Sequence, residues 1–414
     1  MAVPKLRFKE FNEDWKENSL KNCVASIDSG WSPLCESNPS EIDEWGVLKT
    51  TAVDWDGFKS DFNKKLPLQL SPRLEIEVKP LDILVTRAGP TERVGVVSVV
   101  PMTVRPKLMI SDKLIRLKVN EQTDASFLGI TLSSAKCQSQ LQSKTSGLAK
   151  SQTNISQKIL SDVLLMLPPK TEQTKIASFL SAVDEKISQL NQKHGLLCQY
   201  KQGMMQKLFS QQFRFKADDG REFGEWEEKK ITDMADYVDY RGKTPKKVED
   251  GILLVTAKNI RFGYIDYDVS QEYICSDDFD EVMRRGLAEI GDVLITTEAP
   301  LGNVASVDRE NIALAQRVIK YRGKKGILNN EFLKQKFLSK EFQSLISSKA
   351  TGGTVQGIKG STLHNLEIQI PQDIAEQTKI ANLLSAIDQK IEVVAQQIEQ
   401  AKIWKKGLLQ QMFV

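Results

Sequence analysis

The sequence predicts an α+β protein built by internal pseudo-twofold duplication. Two similar globular domains are each followed by one long helix, and the two helices run antiparallel as a coiled coil. Three observations carry this prediction. The hexamer EQTKIA begins at Glu172 and again at Glu376. Sliding the chain by 204 positions lays the 39 residues from Glu172 over those from Glu376 with 17 identities, which marks a true internal repeat. Ahead of each copy stands a similar order of short strand-like runs. The predicted boundaries are 1–168 for the first domain, 169–211 for the central helix, 212–371 for the second domain and 372–414 for the C-terminal helix.

The domain elements recur in order. Leu6-Arg7-Phe8-Lys9, with Phe11 and Trp15 beyond, echoes Phe213-Arg214-Phe215-Lys216 with Phe223 and Trp226. SGWSP from Ser29 matches RGKTP from Arg241, and GVLKTTA from Gly46 matches GILLVTA from Gly251. LDILVTRAGP from Leu81 matches GDVLITTEAP from Gly291. Runs such as DILVT and DVLIT, rich in β-formers and bounded by Gly, Pro, Asn and Asp, read as strands. FLGITLSSAKCQSQLQ from Phe127 and FLKQKFLSKEFQSLIS from Phe332 read as helical. The loops TSGLAKSQTNIS and TGGTVQGIKGS follow, and the runs ILSDVLLMLPP and TLHNLEIQIPQ read as closing strands.

The two helices carry matching stripes. Ile176, Leu180, Val183, Ile187, Leu190, His194, Leu197, Lys201, Met204 and Leu208 step 4-3-4-3. Ile380, Leu384, Ile387, Ile391, Val394, Ile398, Ala401, Lys405, Leu408 and Met412 do the same. This spacing puts one narrow apolar seam on each helix. Neither segment contains proline, and a proline-bearing strand end precedes each. A helix of about 38 residues is roughly 57 Å long. Its seam needs a partner, and the matching helix is the economical one; packing on the adjacent domain is the alternative. His194, Lys201 and Lys405 interrupt the seam as positional or docking residues.

Composition limits the function classes. Hydrophobic residues make up 40% and charged residues 27% of the 414-residue chain, as in ordinary globular proteins. Apolar runs reach strand length, short of the roughly 18 residues a membrane span needs. The charged N-terminus lacks a signal-peptide core. Five scattered cysteines with no CxxC point to a reducing, cytoplasmic setting without disulfides or a zinc site. Two histidines, His194 and His364, leave little material for histidine catalysis or metal ligation. A net charge of +3 permits a nucleic-acid partner without requiring one.

The layout of domain, helix, domain, helix resembles the specificity subunit of type I restriction–modification systems. The carriers are EQTKIASFLSAVDEKI and EQTKIANLLSAIDQKI after proline strand ends, then the loops at Thr145 and Thr351. The resemblance spans the whole chain. It implies two target-recognition domains, each reading one half of a bipartite, asymmetric site on double-stranded DNA. The helices would set the spacer and dock two modification subunits, adenine-N6 methyltransferases using S-adenosylmethionine. Restriction/translocase subunits, working with ATP and Mg, would complete the endonuclease. It further implies a chain that is not itself catalytic, binds none of these cofactors and has no membrane role. A helical scaffold that does not bind DNA, with two structural domains, is the competing reading.

Catalytic motifs are missing where they would be needed. The only Pro-Pro, at Pro168, lacks the Asp or Asn that an adenine methyltransferase places before it. No GxG occurs, so the glycine-rich cofactor turn is absent. GKT at Gly242 imitates the end of a phosphate loop, but Tyr237 stands where its first glycine must be. Glu77-Val78-Lys79 belongs to an alternating strand, LEIEVK.

DNA readers need Arg, Lys, Asn, Gln, Glu or Asp at base edges and Lys, Arg, Ser or Thr at phosphates. In the first domain the candidates at turns and strand ends are Trp31, Lys49, Thr50, Thr86, Arg87, Lys144, Lys150 and Gln152. In the second they are Arg241, Lys243, Lys258, Asn259, Arg261, Thr297, Glu298, Arg317, Lys349 and Thr351. Each taken singly also fits a solvated surface. Arg87 and Glu298 are read as equivalent strand ends of opposite charge, a means for duplicated domains to select different bases.

Overall fold

The computed structural model describes residues 3–35, 37–149, 152–240 and 245–413. The chain divides into two compact units, Met1–Leu190 with Gln397–Val414, and Asn191–Gln396. Each unit therefore holds one globular domain together with segments of both long helices, rather than a domain and its own helix alone.

In the first unit the central sheet has the order Val24–Ser29, Leu114–Val119, Ile83–Thr86, Val97–Val99, all antiparallel. Its strand Ile83–Thr86 is buried on both faces because both faces are covered. Ile83, Val85, Ile115 and Leu117 point into one core with Trp15, Phe127 and Leu128. Leu84 and Leu114 point into the other, with Val47, Leu48 and Met109. Successive side chains on a strand alternate faces, so a doubly covered strand reads as a continuous apolar run. A parallel pair, Gly46–Leu48 with Leu108–Met109, lies over the second face.

The second unit repeats this plan. Its sheet runs Ala235–Asp239, Val318–Gly323, Val293–Thr297, Leu301–Ser306. Val293, Ile295, Ile319 and Tyr321 face one core, Leu294 and Val318 the other. Ile252–Val255 with Ile312–Leu314 is the parallel pair. Helices Ala125–Leu132 and Asn330–Leu338 begin on Asp124 and Asn329, whose side chains accept the third N–H of the helix, relieving one of its four unbonded donors.

The long helices are Lys170–Phe209 and Ile374–Met412. Within the first unit, Ile176, Leu180 and Val183 share a core with Leu408 and Met412. Within the second, Leu208 shares one with Ile380, Leu384 and Ile387, with Met204 and Ile391 packed against it. The start of one helix meets the end of the other in each unit, which is antiparallel pairing. Those cores also contain domain residues such as Phe127 and Phe332, so the helix ends pack on the domains as well as on each other. Ile187 and Leu197 are half-buried; Leu190, Val394 and Ile398 are buried.

Three stretches differ from the sequence reading. LEIEVK, read as a strand, is a 3-10 turn at Leu74–Ile76 followed by an isolated bridge from Glu77 to Met109. The runs taken as closing strands open as short helices, Gln157–Ser161 and Gly360–His364, before the strands Leu164–Leu167 and Glu367–Pro371. Ser156 caps the first of these through Ile159 N–H, a local bond that favours a helix start over extended chain. The loop at Thr145 contains the strands Ser146–Ala149 and Gln152–Asn154, the latter pairing with Ala88–Gly89.

Candidate nucleic-acid interface

The two EQTKIA copies form a buried lock in each unit. Glu172 is fully buried and receives both Arg7 Nε and Nη2 at 2.7 Å. Glu376 receives Arg214 Nε at 3.0 Å and Nη2 at 2.8 Å. The following glutamines tie helix, strand end and domain together. Gln173 donates to Pro168 O at 2.8 Å and accepts Asp124 N–H at 3.0 Å. Gln377 donates to Pro371 O at 2.9 Å and accepts Asn329 N–H at 2.9 Å. The hexamer is thus a joint, fully engaged within the fold.

The sheet's third strand ends at the candidate site. In the first domain Arg87 N–H donates to Lys113 O at 2.8 Å, and Arg87 O accepts Ile155 N–H at 2.9 Å. In the second, Thr297 N–H donates to Arg317 O at 3.1 Å and Thr297 O accepts Ile358 N–H at 2.9 Å. These matched bonds make Arg87 equivalent to Thr297. The reading that set Arg87 against Glu298 was one residue out of register: Glu298 corresponds to Ala88. The two domains still differ at this place, a cation standing where the other has a threonine and then an acid.

Two candidates are fully buried and spent on the fold, and a third is mostly buried. Thr86 is fully buried; its Oγ1 donates to Arg93 O and accepts Val96 N–H at 2.9 Å. Asn259 is fully buried, its Oδ1 accepting Thr256 N–H and Oγ1–H, its Nδ2 donating to Asp266 O and Ser270 O. Thr297 is 4% exposed, and its Oγ1 lies 3.4 Å from Arg317 O. Thr86 and Asn259 are therefore supports rather than contacts, whereas Thr297 stays on the wall of the second domain's cleft. Their sequence signal was genuine, since they stand at strand ends and turns; burial was not visible in it.

In the second domain four of the candidates converge. Thr297, Glu298, Arg317 and Thr351 line one open cleft of about 360 Å³ with Gln316 and Lys359. Arg317 Nε meets Glu298 Oε1 at 2.6 Å. Both side chains are about half exposed (51% and 41%), so the pair is weak and open to a new partner. Gln316 and Lys359 were missed; their only sequence signal was adjacency to Arg317 and to the loop at Thr351. Lys349 is exposed at the end of its helix, and Lys258 is exposed. Arg261 lies 3.5 Å from Asp266.

In the first domain the candidates are more dispersed. Trp31 is half-buried, with the Arg73 guanidinium 4.2 Å from its ring centre. Lys49 and Thr50 are half-buried around the turn Thr50–Ala52. Arg87 is half-buried and Lys144 exposed. Lys150, Arg241 and Lys243 lie outside the described residues, as does the Gln152 side chain. His364 is a core residue, with Tyr321 Oη at 2.8 Å from its Nδ1 and Tyr237 stacked on its ring. Among the described residues no helix is long and apolar enough to cross a membrane.

Residues 77–196 and 224–402 both match the family model for the type I restriction modification DNA specificity domain. The chain belongs to this family. It is 40% identical over 181 residues to the type I restriction enzyme EcoEI specificity subunit of Escherichia coli, covering 43% of this chain and 30% of that relative's length. It is 26% identical over 98% of its length to the MjaX specificity subunit, a putative type I restriction enzyme subunit of Methanocaldococcus jannaschii, covering 94% of that chain. A crystal structure of the type I restriction–modification S subunit from M. genitalium shares the fold over 100% of this chain and 99% of its own, at a TM-score of 0.60 and 15% identity.

Proposed function

We propose that this chain is the DNA-reading subunit of a type I restriction–modification complex. It recognises a bipartite, asymmetric site on double-stranded DNA, one half-site per domain. The observation that carries this reading is a repeated framework with a changed strand end. The same backbone bonds hold Arg87 in one domain and Thr297 with Glu298 in the other. A common scaffold presenting different groups at one place is what two different half-sites require. Trp31, Lys49, Thr50, Arg87, Lys144, Lys150 and Gln152 are the proposed contacts of the first domain. Arg241, Lys243, Lys258, Arg261, Thr297, Glu298, Arg317, Lys349 and Thr351 are those of the second.

The long helices set the spacer and dock two modification subunits. Tyr200 and Trp404, equivalent under the 204-residue shift, are 54% and 53% exposed, and a matched aromatic on each helix suits a partner present twice. The chain itself is non-catalytic. S-adenosylmethionine belongs to the modification subunits, ATP and Mg to the restriction subunits, and the complex works in the cytoplasm. The test is co-expression with the cognate modification subunit, followed by genome-wide mapping of N6-methyladenine. A bipartite motif is expected. No motif, together with no DNA binding, overturns the reading in favour of a scaffold.

A further inference from the structure

Both domains raise an aromatic ring into solvent at the tip of the same hairpin. In the first, Val53 pairs with Phe58 and Asp54 with Gly57, and Lys59 N–H donates to Ala52 O at 2.9 Å. In the second, Ile260 bridges Ile265, Arg261 N–H donates to Tyr264 O at 2.9 Å, and Asp266 N–H donates to Asn259 O at 2.8 Å. Matched pair for pair, these bonds put Trp55 and Phe262 at the same tip position. Trp55 is 51% exposed and Phe262 55%, with Tyr264 beside it at 61%. A single exposed hydrophobic residue is ordinary. A large aromatic at one position in two domains whose neighbouring residues differ is not.

The tips are also held rigidly. Arg93 Nη2 donates to Val53 O at 2.6 Å, and its Nη1 to Asp54 Oδ1 at 2.7 Å. Ser98 Oγ accepts Asp54 N–H at 3.1 Å and donates to Asp54 O at 2.7 Å. In the second domain Asn303 Nδ2 donates to Ile260 O at 2.7 Å and Gly263 N–H to Val304 O at 2.7 Å. The capped carbonyls, Val53 and Ile260, are equivalent. Each capping residue is bonded in turn to the strand that ends at the candidate site. Thr86 Oγ1 donates to Arg93 O, and Asn303 N–H donates to Thr296 Oγ1 at 3.0 Å. Hairpin tip and strand end are therefore parts of one block in each domain.

We propose that Trp55 and Phe262 contact DNA, each laying its ring against the bases or sugars of its own half-site. This rests on the DNA-reading function above. On a duplex, flat rings on a fixed support pack against sugars and base edges or wedge at a base step, with little loss of side-chain entropy. The charged groups around both tips suit a polar, charged partner better than an apolar protein groove, and those beside Phe262 suit a polyanion. Lys258 is exposed and Arg261 half-exposed beside Phe262. Beside Trp55, Lys59 pairs with both Asp54 at 2.9 Å and Asp56 at 3.0 Å, and Arg93 pairs with Asp54 at 2.7 Å, so two acids at this tip are balanced by two bases.

The test uses the full complex with its modification subunits and a duplex carrying the mapped site. Trp55→Ala and Phe262→Ala are expected to weaken binding about tenfold each, the scale of one lost stack, with subunit stoichiometry and melting temperature unchanged. Trp55→Phe and Phe262→Tyr should bind within about threefold of the parent. Alanine variants that bind and methylate like the parent overturn the proposal while leaving the DNA-reading function standing. Alanine variants that instead lose subunit assembly overturn it in favour of a protein contact. A parent complex that neither binds nor methylates DNA removes both.

Discussion

Lys201 on the central helix meets Asp388 on the C-terminal helix at 2.6 Å, and Lys405 meets Asp184 at 2.5 Å. Each pair lies within one unit, and the two are the same pair with donor and acceptor helices exchanged. A lysine on an apolar seam costs stability and in return fixes which positions face each other. Asp388→Lys is expected to destabilise the chain by about 1 kcal/mol, the upper end for a partly exposed pair. Lys201→Asp combined with Asp388→Lys should recover most of that. A double-mutant cycle by urea denaturation checks it; full additivity would mean the pair carries no coupling.

The lock at the helix start is of another order. Glu172 and Glu376 have essentially no exposure, whereas their arginines retain 11% and 24% side-chain exposure. Removing one partner of a buried pair leaves a charge without compensation and costs about 3–5 kcal/mol. Arg7→Ala should therefore destabilise the first unit by roughly 3 kcal/mol, and Arg214→Ala the second by somewhat less because water already reaches it. Hydrogen exchange, read unit by unit, separates the two. Loss of protection in both units from either variant would contradict a local joint.

Arg87 distinguishes reading from holding. If its guanidinium contacts a base, Arg87→Ala relaxes recognition in one half-site at about 1–3 kcal/mol and leaves the other untouched. A phosphate contact would instead weaken all sequences alike and lower the salt slope by about one. The expected result is the first, measured as the methylated motif and as binding at several salt concentrations. Glu298→Gln in the second domain should release Arg317 and shift only the other half-site.

Much of this fold was legible in the sequence because duplication supplies an internal control. Agreement between the halves identified both seams and the DILVT and DVLIT strands, and the structure buries Leu180, Val183, Leu384 and Ile387 as the period requires. The site was less legible. Thr86 and Asn259 look like polar turn residues, and only the third dimension shows that their hydrogen bonds are all used internally. Trp55 and Phe262 escaped notice because the hairpins DWDG and RFGY share a shape, not a sequence; their equivalence lies in backbone register. The pairing of Arg87 with Glu298 is a different kind of error: LDILVTRAGP laid over GDVLITTEAP already sets Arg87 against Thr297, and the hydrogen-bond partners agree with that register.

The helices as a spacer gauge give the most direct geometric prediction. One 4-3 repeat of seven residues, added after Leu190 and after Val394, keeps the seam on its face and lengthens each helix by roughly 10 Å. Leu190 and Val394 occupy matching places under the 204-residue shift, so the inserted segments sit at equivalent points of the repeat. At about 3.4 Å of rise per base pair that is near three base pairs. The methylated motif should keep both half-sites and gain about three base pairs between them. An unchanged spacer with both half-sites still methylated would take the gauge role away from the helices and leave it with the partner subunits.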